Sequence, residues 1–384
     1  MESPGKTLLA PRVWVCETAP VPARKKSGRL LSGIDGRHKR VTLKVLADHL
    51  GLAPATISLV INRASVADSI PQATQERIFA AARELNYRPS FTARWARTAR
   101  SFTIGVLVPE VSEGYASMVM SGIEGYLLRE GYFYLVASHR HRDDLIDEYP
   151  RMLLARSVDG LIALDTPWHH ELPVPVVTVS GRNRSNGVTN ILLDHDRAAE
   201  LALRHLQQLG HERIAFIKGQ EFSSDTAARW ESIVKVAEHL GLQVSPKLTV
   251  QLEGDLASPE LGYRVTKCLL DRKARFTALF AFNDTSAIGA IGALRQHKLE
   301  VPQDVSVVGF DDIQSAAFHS PQLTTVRQPL RKMGLIAAEA LLRRIARPDD
   351  NSYPREIVIE PELVVRQSTA RVAAESRRPP LRRR

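Results

Sequence analysis

Residues 43–62 read LKVLADHLGLAPATISLVIN. Two short helices crossing at a steep angle need a small residue where their backbones meet. The turn between them needs a residue tolerant of left-handed backbone, and the internal positions need apolar side chains. Ala47 and Gly51 meet the first two requirements, and Leu46, Leu50, Leu52, Ile57 and Val60 meet the third. Pro54 suits the first position of the second helix, where its missing N–H would have had no partner. The pattern fits a helix-turn-helix better than an ordinary helical hairpin. A third helix over residues 72–85, QATQERIFAAAREL, brings Ile78, Ala81, Ala82 and Leu85 to close a small core.

In such a unit the second helix enters the major groove of DNA, and the exposed side chains near its start meet base edges. Those are Pro54, Ala55 and Leu59, flanked by Thr56, Ser58 and Asn62, whose polar groups can bond phosphates.

Beyond residue 100 the pattern changes. TIGVLV, YFYLVAS, DGLIAL, PVVTVS, RIAFIKG, LTVQL, ALFAF and DVSVVGF are strand-like, and helix-length segments follow most of them. Runs apolar on both faces suit parallel strands covered by helices, so this part reads as doubly wound α/β. Eight such strands suggest two lobes. The expected organisation is a disordered basic extension over 1–40, a helix-turn-helix domain over 41–89 and a hinge over 90–100. A two-lobed core over 101–370 and a basic tail over 371–384 complete it.

The formal charge is +10 over 384 residues, and it is unevenly spread. Residues 1–100 hold 17 Lys plus Arg against 7 Asp plus Glu, and residues 371–384 hold 6 against 1. The remainder, 29 against 34, is mildly acidic. A basic head on an acidic body suits a polyanion-binding module fused to a sensor, since neutralising phosphates releases counterions. Cys16 and Cys268 are too few for a disulfide framework and have no metal-site spacing around them. No apolar run approaches the length of a membrane span, and the first residues make a poor signal peptide, so cytoplasmic residence without membrane attachment is expected.

The sequence lacks a dinucleotide-binding glycine fingerprint, a phosphate loop and a nucleophile elbow, which argues against an enzyme. The close histidine pairs, His139 with His141 and His169 with His170, lie in loop-like stretches and read as solvated rather than metal-binding. No cofactor is expected.

VTLKVLADHLGLAPATISLVIN, ATQERIFAAARELNYRP, TIGVLVPE, DGLIAL, LGHERIAFIKG, FAFND, VPQDVSVVGFDDI and PQLTTVRQPL occur in this order. Together they resemble the lactose-repressor family over about residues 41–370. The resemblance implies an all-α DNA-binding head and a hinge helix, then a core of doubly wound parallel sheets like a periplasmic binding protein. It implies a homodimer on a palindromic double-stranded operator and a small-molecule effector, such as a sugar, between the lobes. Thr42 joins the expected DNA contacts. The hinge, SFTARWART at 90–98, places Trp95 where relatives insert a leucine into the minor groove.

For the effector, the resemblance nominates Tyr115, Ser180, Arg229, Asn283 and Asp311. Departures are also visible. Leu59 stands where many relatives carry a guanine-reading arginine, and it can only touch a thymine methyl or avoid the groove. Ala53 replaces a capping serine. Glu113, Gly114, Tyr115 and Ala116 stand where relatives often have Asn-Pro-Phe-Phe, Ser180-Gly181 where they have Asp-Arg, and Leu256 where some have a stacking aromatic. A solute-binding protein is the rival reading, since the core alone could serve that role.

Overall fold

The computed structural model of the protein describes residues 41–61, 65–87, 100–111, 114–168, 171–183, 185, 187–254, 258–350 and 352–372. The chain divides after Ser90 into two compact units.

The first unit holds α1 (Leu43–Leu50), α2 (Pro54–Ile61), a 3-10 turn (Ser65–Ser69) and α3 (Gln72–Glu84). Helices α1 and α2 meet at 110°. Gly51 ends α1 with φ 66°, and its N–H bonds the Ala47 carbonyl. A side chain there would strain the turn. Leu46, Ala47, Ile57, Val60, Ala67, Ile78 and Ala81 are buried together as the core of this unit.

The second unit begins with β1 (Thr103–Val108), α4 (Tyr115–Arg129), β2 (Phe133–Ser138), α5 (Asp143–Leu154), β3 (Gly160–Leu164), β4 (Val176–Val179) and β5 (Val188–Leu193). Next come α6 (His195–Gln208), β6 (Ile214–Lys218), α7 (Thr226–His239), β7 (Thr249–Gln251), α8 (Pro259–Asp271), β8 (Ala278–Ala281) and α9 (Asp284–Gln296). The chain closes with β9 (Ser306–Asp311), α10 (Gln314–Phe318), β10 (Thr324–Arg327), α11 (Leu330–Ala346), β11 (Glu356–Ile359) and β12 (Glu362–Val364).

Two six-stranded sheets result, ordered β11-β5-β4-β3-β1-β2 and β12-β10-β9-β8-β6-β7. All pairings are parallel except β10 with β12. Each sheet is covered on both faces, which is why its strands are apolar throughout. On the first, Ile104, Val106 and Val108 face α4 and α11, while Leu107, Leu161 and Ala163 pack with Leu153 of α5. On the second, Phe216, Phe280 and Phe310 lie with residues of α6 and α7, and Ile217, Leu279 and Val307 with those of α9.

The chain passes between lobes three times: from β5 to α6, from β10 to α11, and from β11 to β12. Four strands, β5, β10, β11 and β12, are absent from the eight expected. β10 and β12 are short, β11 is partly exposed, and β5 carries Thr189 and Asn190 inside its apolar run. Among the described residues, no single helix is long and apolar enough to cross a membrane.

Candidate functional site

In the head, Pro54 and Ala55 are exposed at the start of α2, Thr56 and Ser58 are half-buried, and Ile57 and Val60 face the core. Leu59 is half-buried and packs against that core, so it is less available to bases than expected. The Thr42 side chain is exposed and accepts the Val45 N–H at 3.4 Å as the N-cap of α1. Asn62 and the hinge with Trp95 lie outside the described residues.

In the core, the carboxyl ends of the two sheets face each other, the place where open α/β sheets bind ligands. Between them is a cavity of about 120 Å³. Tyr115, Ser180, Arg229, Asn283 and Asp311, nominated from scattered motifs, all line it. Each follows or ends a strand or begins a helix, so chain geometry aims them at one point.

Arg229, on α7, is buried between two aromatic rings, with its guanidinium 3.8 Å from the Phe310 centroid and 4.4 Å from that of Phe282. Its Nη1 donates to the Phe282 carbonyl at 2.6 Å, and Nη2 lies 3.5 Å from Asp225. Its buried Nε has no hydrogen-bond partner among the described residues. Leaving such a donor unpaired is unfavourable. Asn283 is partly committed: its Oδ1 accepts the Ser286 N–H at 2.8 Å in a capping box at the start of α9.

The cavity is rich in carboxylates. Asp311 accepts from Gln328 at 2.6 Å, yet burial, only partly offset by Arg229 and Gln328, pushes its carboxyl up to about 6. Asp165 is likewise raised by burial and by Asp225. Burial also opposes the charge on Asp225, but His195 at 3.5 Å, Arg229 and the Gly181 N–H outweigh it and hold that carboxyl well below the usual range. Burial, Asp225 and Asp165 push the Tyr115 hydroxyl well above its ordinary value, while it shares a 2.6 Å hydrogen bond with Ser180. Asp165, Ser180 and Asp311 have φ of 37°, 60° and 106°, unusual for residues with a Cβ. Such strain concentrates at functional sites because the surrounding structure holds it in place.

The lobes touch at the cavity rim. Asp165 accepts from the Ser224 N–H at 2.7 Å and from the Ser223 hydroxyl at 3.3 Å. The Gly181 N–H reaches Asp225 at 3.1 Å, and the His141 and Phe222 rings lie 3.8 Å apart. A Cβ on Gly181, φ 80°, would stand 2.6 Å from the Cβ of Ser224. The close approach of the lobes therefore leaves no room, in this arrangement, for a side chain at position 181.

Asp165, Asp225, His141 and Phe222 were not nominated from the sequence. Asp165 and Phe222 closely follow strands β3 and β6, so the rule that ligands gather at carboxyl ends of parallel strands could have found them. His139 is buried rather than solvated as expected. Its Nδ1 accepts the His141 N–H at 3.1 Å, so Nε2 carries the proton and faces Thr166 Oγ1 at 2.9 Å. His169, His170, Glu113 and Leu256 lie outside the described residues. Among the described residues, no group of three His, Cys, Asp or Glu is placed to hold a metal ion.

Two family profiles match the chain: "Bacterial regulatory proteins, lacI family" over residues 42–90, and "Periplasmic binding protein-like domain" over residues 203–369. An HTH-type transcriptional repressor PurR from Haemophilus influenzae is 32% identical over 338 residues, spanning 85% of this chain and 98% of that protein. The lac repressor dimer bound to operator and an anti-inducer is structurally similar, with a TM-score of 0.74 and 27% identity over 86% of this chain and all of that one. A ribose-bound regulator from Enterococcus faecium matches with a TM-score of 0.63 and 28% identity, over 71% of this chain and all of that one.

Proposed function

Since this chain belongs to the lacI family of bacterial regulatory proteins, and is thus a DNA-binding transcriptional regulator controlled by a small molecule, we propose that it represses genes as a cytoplasmic homodimer. The dimer reads a palindromic operator, because one head contacts one half-site and a two-fold protein matches a two-fold sequence. Pro54 and Ala55 lie at the groove, Thr56, Ser58, Thr42 and Asn62 at the phosphates, and Trp95 serves as a minor-groove wedge. The observation that carries this reading is the 110° crossing of α1 and α2 with Pro54 and Ala55 left exposed at the start of α2. Its relatives are repressors rather than enzymes, and no catalytic role is assigned to the cleft.

The effector proposed for the cleft is an uncharged, hydroxyl-rich molecule of about one sugar ring. Asp311, Asp165 and Asp225 accept from hydroxyl donors, and the Arg229 guanidinium at the cavity wall donates to a hydroxyl or ring oxygen. Several buried carboxylates against one guanidinium disfavour an anion. A cavity of about 120 Å³ is in the range that holds a single six-membered ring. Binding bridges the lobes, changes their angle, and through the dimer shifts the hinge at 90–98 between folded and unfolded forms, one two-state element biased from two sites.

Selection of bound duplexes from a random pool at moderate salt tests the regulator reading, run with and without a panel of sugars. Enrichment of a palindrome, with occupancy altered by a neutral sugar, is the expected result. No preference over random competitor in either condition would overturn it.

A further inference from the structure

Helix α2, PATISLVI, contains no Lys, Arg, His, Asp, Glu, Asn or Gln. Its outward residues at the reading end are Pro54 and Ala55, both exposed, with only the half-buried hydroxyls of Thr56 and Ser58 beside them. Leu59, one helical turn further on, is half-buried and apolar. Guanine, adenine and cytosine are read most specifically in the major groove by guanidinium, ammonium, amide and carboxylate groups, while Ser and Thr hydroxyls serve any base. This helix offers only the two half-buried hydroxyls. The apolar feature that distinguishes one base pair from the others in that groove is the C5 methyl of thymine.

We infer that the reading helix of this regulator recognises its operator through thymine methyl groups, packed against Pro54 and Ala55. The inference rests on the regulator reading above and specifies what that same surface selects. Charge supplies affinity but little of this selectivity: Lys44 is exposed on α1, where a helix-turn-helix crosses the phosphate backbone.

Deoxyuridine in place of thymidine removes the C5 methyl while leaving base pairing and the minor groove intact. The test takes the full-length protein and the duplex enriched above, replaces each thymidine of a half-site by deoxyuridine, and measures Kd at fixed salt. Each contacted methyl is expected to weaken binding about four-fold, the factor for exposing one buried carbon, and a symmetric pair about sixteen-fold. Replacing guanines by 7-deazaguanine, which removes the N7 acceptor, is expected to leave Kd unchanged within two-fold.

Ala55→Gln keeps an exposed position exposed and so preserves the head fold. It is expected to shift enrichment toward adenine and to abolish the deoxyuridine penalty at that base pair. Equal affinity for thymidine and deoxyuridine duplexes, with loss on 7-deazaguanine, would overturn the inference while leaving the regulator reading intact. Failure to enrich any duplex would sink both.

Discussion

Asp311 shows how a single side chain can serve binding at the expense of folding. A carboxyl raised to about 6 in the folded state binds more protons than its unfolded counterpart between pH 6 and its ordinary 3.8. Above pH 6 its charge therefore destabilises the fold, by up to about 3 kcal/mol, and the penalty disappears as pH falls toward 4. Asp311→Asn should raise the melting temperature at pH 7, gain nothing at pH 4, and lose effector-dependent change in operator affinity. Equal melting of both proteins at pH 7 would show that Asp311 is better solvated than its surroundings imply. His139 has the opposite sign. Burial and His141 lower it from 6.5 to about 4, so its neutral form stabilises the fold above pH 6.5 and that contribution is lost as pH falls through 4. Urea unfolding of wild type and His139→Gln between pH 7.5 and 4.5 should show the wild type losing up to about 3 kcal/mol more than the variant. Parallel pH slopes would exclude this.

At the scale of elements, both lobes use the same device: two helices that touch through glycines on one face of a sheet. Gly122 of α4 and Gly334 of α11 each lie where a Cβ would stand 2.0 Å from a carbonyl of the other helix, Arg331 and Val119 respectively. Gly262 of α8 and Gly289 of α9 do the same against Ser286 and Pro259. Gly122→Ala should push α4 from α11 and destabilise the core by roughly 1–3 kcal/mol, the scale of overpacking that must move backbone. Gly125→Ala, on the same helix with nothing near its position, should stabilise by up to about 1 kcal/mol. Thermal denaturation of the two variants separates the effects, and similar shifts in both would mean that the helices do not touch this closely in solution.

At the scale of the molecule, β2 is an open edge of the first sheet, and it exposes apolar side chains. Phe133 is 63% and Val136 41% exposed, and Leu128 nearby on α4 is 64% exposed. Edges of this kind attract a partner unless covered. With the proposed dimer covering it, Phe133→Glu should shift sedimentation toward the monomer and weaken operator binding at least ten-fold while sparing effector binding. A variant that remains dimeric would place the interface elsewhere. Linkage adds a reciprocal expectation: whatever factor the effector applies to operator affinity, operator applies to effector affinity.

The sequence by itself determined what depends on neighbours in the chain. The Ala47 and Gly51 spacing reports a helix-turn-helix because one turn of backbone settles it, and eight strands are legible because strands covered on both faces must be apolar at consecutive positions. The five effector candidates were legible only through resemblance. Tertiary structure alone decided which lobe each strand joins, since β11 and α11 return to the first lobe from late in the chain. It also decided that Asp165, Asp225, His141 and Phe222 complete the cleft, and that Leu59 turns partly inward. A carboxylate's burial, its raised proton affinity and the approach of Gly181 to Ser224 arise from atoms distant in sequence, and no local pattern encodes such distances.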